Sequence, residues 1–186
     1  MESKPPELLP GFRYHPDPIR SGSIVVSDAR CRCCHKNPGY MYGGPVYSEE
    51  DGLENQLCPW CIASGEAHRK FEATFVDSEA FADGMPEAAM QEISTRTPGY
   101  SSFQSEVWPV CCGDAVEFLT PAGIAELRAY DYTLEGQLMG HIVHRMQLSG
   151  GAATRLLDGL RKDSGPTLFL FRCPRCQTHH FHIDQP

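Results

Sequence analysis

The chain has 186 residues, room for one compact domain or two small ones, and its 41% hydrophobic and 22% charged residues exclude a disordered polymer. Sixteen basic residues against 24 acidic ones give a net charge of −8. That excess opposes nucleic acid as the main partner, because phosphate binding needs a surplus of Lys and Arg; it leaves a plain solubility role or attraction to a basic partner.

In chain order, residues 1–22 are proline-rich without periodicity and read as an extended arm. Phe12 and Tyr14 are its anchors, and His15 and Asp17 stand between prolines in His15-Pro16-Asp17-Pro18. A short strand is expected at 23–26. The aromatic alternation of 38–48 around Gly43-Gly44 predicts a β-hairpin, since paired glycines readily take the positive φ of a tight turn. After Cys58-Pro59-Trp60-Cys61 the sequence turns helical, with Phe71 and Phe75 one turn apart. A further helix is expected from Asp83 or Gly84 to Pro98, and the weakest boundary lies near 77–104. Thr120-Pro121 predicts a helix start running to about Tyr130, followed by apolar helical spacing from Leu134 to Met146. Gly150-Gly151 interrupts this run, a short helix is expected at 154–162, and strands follow at 167–172 and 180–183. The expected organisation is an arm at 1–22, a zinc module at 23–77 and a mostly helical region at 78–186 closed by a knuckle.

Nine cysteines are the main chemical signal, and six of them form C-x-x-C pairs: Cys31/Cys34, Cys58/Cys61 and Cys173/Cys176. In a reducing compartment such a pattern points to metal or catalysis before disulfides. The start MESKPPELLPGF lacks the apolar segment of a secretory signal, and no apolar run approaches the roughly 20 residues of a membrane span, so a cytoplasmic location is expected. Zinc held by four thiolates needs two converging pairs, and each C-x-x-C turn supplies one. Cys31/Cys34 and Cys58/Cys61 leave space for a hairpin between them and put the second pair at a helix start. The expected class is therefore α+β, with a treble-clef-like zinc module. Cys33 has two readings, a replacement ligand or a small buried apolar residue, and the second is preferred.

Cys173 and Cys176 need partners for a second Zn²⁺. Cys112 and Cys111 supply one solution; one of those cysteines with His179, His180 or His182 supplies another. His141 and His144 are three apart on a helix without an intervening Glu, and read as solvent-facing. Cys58-Pro-Trp-Cys61 is spelled like a redox dithiol, but its acidic, Gly-containing lead-in cannot be the buried strand such a site follows. No P-loop, nucleophile elbow or dinucleotide-binding glycine motif is present.

Phe12-Arg-Tyr-His-Pro-Asp-Pro18, Ser21-Gly22, Cys31/Cys34, Gly44-Pro-Val-Tyr47 and Leu57-Cys-Pro-Trp-Cys-Ile-Ala63-x-Gly65 closely resemble the CbrC family of small bacterial proteins. The likeness is specific from about residue 9 to Asp77, looser through Thr97-Pro-Gly-Tyr100, Trp108 and Cys112, and recovers at Cys173/Cys176. Ser64 stands where the family is expected to carry Asp. The resemblance brings no established enzymatic activity, and implies an association with tolerance to a DNase-type colicin. The expected function is that of a non-enzymatic zinc protein that engages a protein partner, a basic nuclease toxin fitting the acidic charge. The alternatives are a hydrolase with an open C-terminal metal site, using His15, Asp17 and Asp114 as acid/base groups, and a thiol-disulfide protein. His15 and Asp17 have an equally simple reading as hydrogen-bonding residues that lock the arm.

Overall fold

The structure is a computed structural model, and it describes residues 8–104 and 106–185. The first seven residues of the expected arm, Ser105 of the expected connection and Pro186 lie outside the described residues. Described residues fall into two compact units, 8–101 with 106–117, and 102–104 with 118–185. The boundaries expected at 22/23 and 77/78 both fall inside the first unit.

In the first unit, β1 (Ile24–Val26) pairs antiparallel with β2 (Tyr40–Tyr42), Ile24 opposite Tyr42 and Val26 opposite Tyr40. Ile24, Met41 and Tyr42 are buried while Val25 and Val26 face outward, so the pair covers a core on one side only. The first C-x-x-C therefore lies between the paired strands. The hairpin predicted around Gly43-Gly44 does not form, because those glycines lack positive φ, which falls instead on Gly39. Pro45 has no N–H to extend a ladder, and Tyr47 bridges to Thr74 instead.

The helix expected after Cys58 is divided into α1 (Pro59–Ala63) and α2 (Glu66–Phe71), parted by Gly65 at φ +72. Pro59 at the first helical position loses no bond that the helix could have used. α3 (Glu87–Arg96) follows a 3₁₀ turn at Ser78–Ala80, close to the expected helix. β3 (Val110–Cys111) and β4 (Asp114–Ala115) form a second small hairpin. Phe12, Ile24, Met41, Tyr42, Leu53, Leu57, Ile62 and Phe75 make the apolar core around the cysteines. The expected arm packs here: Phe12 and Tyr14 are buried, and the Tyr14 hydroxyl donates to Asp114 at 2.9 Å.

The second unit holds β5 (Glu117–Ala122, whose first residue lies at the boundary), β6 (Thr167–Arg172) and β7 (His179–Asp184) in the order β5-β6-β7. The helix predicted from Thr120-Pro121 starts later. Residues 117–122 are an edge strand, where proline is tolerated, and α4 (Ile124–Tyr130) begins after Gly123, whose N–H donates to the Glu126 carboxylate at 2.9 Å. α5 (Leu134–His144) and α6 (Gly150–Gly159) complete it, α6 starting at the glycine pair. Leu134, Leu138 and Ile142, four residues apart, bury one stripe of α5 against Leu127, Leu157, Leu168 and Leu170. The fold is α+β, with six α-helices and three small sheets among the described residues.

Candidate metal centre

The first cysteine pair is held by a backbone knuckle. Cys31 N–H donates to Lys36 O at 2.9 Å, His35 N–H donates to Cys31 O at 2.7 Å, and His35 takes the left-handed conformation at φ +59. The second pair uses a helix start: Cys58 is the cap before α1, and the N–H groups of Cys61 and Ile62 donate to Cys58 O at 3.1 and 3.3 Å. The cap geometry turns both sulfurs the same way, towards the knuckle.

All four Sγ atoms of Cys31, Cys34, Cys58 and Cys61 lie within 4.8 Å of one another. The Cys31–Cys61 and Cys34–Cys58 separations are both 3.9 Å. A tetrahedron with Zn–S bonds of about 2.3 Å has edges of roughly 3.8 Å, so these spacings fit a tetrathiolate zinc site. Cys31, Cys58 and Cys61 are buried and Cys34 is half-buried, which shields the set from solvent. The Cys58 N–H donates to Cys31 Sγ at 3.3 Å, the kind of bond that stabilises thiolate charge. Hydrogen bonds with Cys58 and Cys61 pull the Cys31 thiol well below its usual range, and those with Cys31 and Cys58 push the Cys61 thiol well above its own. A divalent cation would let all four thiols ionise together, since every thiolate then faces a positive centre.

Cys33 is buried in the same core, as its apolar reading expects, and burial pushes its thiol up. It also sits beside Cys61 and Glu66.

Cys111 and Cys112 belong to the first unit. Cys112 and Gly113 form the two-residue turn of the β3–β4 hairpin, both at positive φ, +53 and +72, which suits a primed turn and is costly for a cysteine. Their Sγ atoms are 3.8 Å apart; Cys112 is exposed and Cys111 half-buried. Cys173 and Cys176 lie in the second unit, at the turn from β6 to β7. That turn repeats the first knuckle residue for residue: Cys173 N–H donates to Thr178 O at 2.9 Å, Gln177 N–H donates to Cys173 O at 3.0 Å, and Gln177 has φ +61. Cys173 is buried and Cys176 exposed.

The histidines offered as ligands have other neighbours. His179 meets the Tyr130 ring edge-on at 6.1 Å, and His182 stacks on Phe169 at 6.1 Å. Burial lowers the affinity of His179, His180 and His182 for a proton. Among the described residues no cluster of three or more potential ligand side chains includes a histidine. His141 is half-buried against Phe181 at 5.8 Å, not solvent-facing as its spacing suggested, whereas His144 is exposed.

The acid/base candidates separate into structural bonds. His15 is fully buried, with Nδ1 2.7 Å from Pro98 O and Nε2 2.7 Å from Ser21 Oγ. A carbonyl only accepts, so Nδ1 carries the proton and Nε2 takes the Ser21 hydroxyl. Burial lowers its pKa to about 4. Asp17 accepts the Arg20 N–H at 3.1 Å, capping the turn that ends the arm. Asp114 receives Arg13, Tyr14 and the Ala115 N–H.

One buried group escaped the sequence reading. Glu106 is 3% exposed, accepts the Asp77 N–H at 2.9 Å, and is pushed up to about 7 by burial. Its only sequence signal is its place before the apolar Val107-Trp108.

A family model described as an uncharacterised protein family (UPF0167) matches residues 9–185. UPF0167 proteins of Mycobacterium bovis and Mycobacterium tuberculosis are each 39% identical to this chain over 188 residues, covering 98% of it and 97% of theirs. One from Pseudomonas aeruginosa is 40% identical over 181 residues, covering 95% of this chain and 97% of its own. No solved structure matches.

Proposed function

The chain belongs to the UPF0167 family, and on that premise we propose that it is a zinc protein whose metals hold the fold and whose acidic surface engages a protein partner. The observation that carries the reading is the convergence of Cys31, Cys34, Cys58 and Cys61 at tetrahedral spacing. A closed four-thiolate site has no position for water, so its zinc contributes to folding rather than to Lewis-acid chemistry.

The cysteines other than Cys33 divide into two sets of four, and we assign the second, Cys111, Cys112, Cys173 and Cys176, to a second Zn²⁺. The repeated knuckle at Cys173 supports this assignment, as does the close pair of sulfurs, 3.8 Å apart, at the hairpin turn of Cys112. His15 and Asp114 are engaged in buried hydrogen bonds, which favours a structural part for them over the acid/base part of a hydrolase. A reducing compartment, the cytoplasm, keeps such thiols available to metal.

No helix among the described residues is long and apolar enough to cross a membrane. For the partner, the net charge of −8 favours a basic protein. The CbrC-like motifs direct the choice to a DNase-type toxin. The test is titration of the zinc-loaded chain with the purified nuclease domain of a DNase-type colicin at low and high salt. Salt-sensitive binding that blocks DNA cleavage supports the reading. Absence of binding at low salt removes the toxin from it.

A further inference from the structure

Cys33 is the thiol that the two four-cysteine sets leave over, and its position is not that of an isolated core residue. Its Sγ, the Cys61 Sγ and a Glu66 carboxylate oxygen all lie within 4.8 Å of one another. Three features of the fold create this juxtaposition. On the first knuckle Cys33 is buried where Cys34 is half-buried; Gly65, at φ +72, caps the start of α2 soon after α1 ends, so Glu66 returns to Cys61; and Lys70 pins the knuckle from outside, its Nζ donating to Arg32 O at 3.3 Å and Cys33 O at 3.0 Å.

We propose that Cys33, Cys61 and Glu66 form an auxiliary site for one thiophilic divalent cation, with the Cys61 sulfur bridging it to the ion of the four-thiol set. The inference rests on that set holding zinc. Four thiolates around one divalent ion leave two negative charges in excess, and a thiolate keeps lone pairs for a second metal. Two sulfurs and one carboxylate favour a soft or borderline cation such as cadmium or zinc over magnesium or calcium. Glu66 is exposed, so a solvent molecule completes the coordination. Binding releases the Cys33 thiol proton to solvent, while Cys61 is already a thiolate of the zinc-loaded set. The Lys70 ammonium opposes the cation, so the site fills after the four-thiol set.

The test is a Cd²⁺ titration of the full chain, counting bound ions of either metal by native mass spectrometry and following the thiolate-to-cadmium charge-transfer band. The wild type takes up one ion more than Cys33→Ala, and Glu66→Gln binds that last ion at least tenfold more weakly. All three share the same tightly bound complement. Glu66 is on the surface, so its variant reports even if Cys33→Ala folds poorly. Equal ion counts for wild type and Cys33→Ala overturn the proposal. Loss of a tightly bound ion in Cys33→Ala also overturns it, by assigning Cys33 to the structural set. A Cys31→Ser variant with the same tightly bound complement as wild type refutes the four-thiol zinc reading itself, a separate failure.

Discussion

Acidification acts on the buried imidazole of His15, and the structure fixes both the size and the direction of the effect. The ring is fully buried, and desolvation lowers its pKa from 6.5 to about 4. The native state therefore resists a proton that the unfolded chain accepts, and stability is present above pH 6.5 and lost as pH falls through about 4. At 1.36 kcal/mol per pK unit the loss between pH 7 and pH 4 comes to about 3 kcal/mol. The assay is urea unfolding of the wild type and His15→Gln at half-unit steps across that range. Acid release of metal affects both proteins alike, so the difference between their slopes isolates the imidazole. His15→Gln is less stable at pH 7, through lost packing, but its stability falls by about 3 kcal/mol less on acidification. Parallel pH profiles would refute the buried, neutral His15 that anchors the arm.

Glu106 has the opposite sign. Its native pKa, raised to about 7 by burial, gives stability that is lost as pH rises from about 4.5 through 7, so Glu106→Gln gains about 2–3 kcal/mol at pH 8 and little at pH 4, measured by the same unfolding assay. A Cβ at Gly99 would overlap the Phe75 carbonyl oxygen, whereas one at Gly136 on α5 meets nothing within 4 Å. Gly99→Ala therefore lowers the melting temperature by several degrees, while Gly136→Ala raises stability by up to about 1 kcal/mol. Asp114→Ala strands the buried Tyr14 hydroxyl and costs about 1–3 kcal/mol in denaturant unfolding. Removing Glu50 from its exposed pair with Arg32 costs under about 1 kcal/mol.

The convergence of Cys31, Cys34, Cys58 and Cys61 was legible because C-x-x-C spacing is a local constraint: each knuckle or helix cap needs only its own few residues to orient two sulfurs. The anchoring of Phe12 and Tyr14 was legible for a similar reason, as aromatics in a chain too proline-rich for regular structure gain most by burial. Long-range pairing was less accessible. Gly43-Gly44 has the composition of a hairpin turn, but the Tyr42 N–H donates to Leu57 O, the Gly43 N–H to Ser23 O and the Tyr42 hydroxyl to Pro45 O, which commits this stretch to another conformation. Thr120-Pro121 has the spelling of a helix start, yet the neighbouring β6 recruits 117–122 as an edge strand, where proline costs no ladder bond. Glu106 reads as a loop carboxylate because nothing local marks it for burial; the Asp77 N–H that donates to it is 29 positions away.

The central claim, that cysteine sets bind structural zinc, is tested most directly by elemental zinc content, with reactive thiols counted before and after chelation. Two structural sites require two zinc ions per chain, Cys33 as the sole cysteine outside the zinc sets, and the other eight thiols released together with a fall in melting temperature once the metal is removed. A zinc-free protein that melts at the same temperature with or without chelator would contradict it.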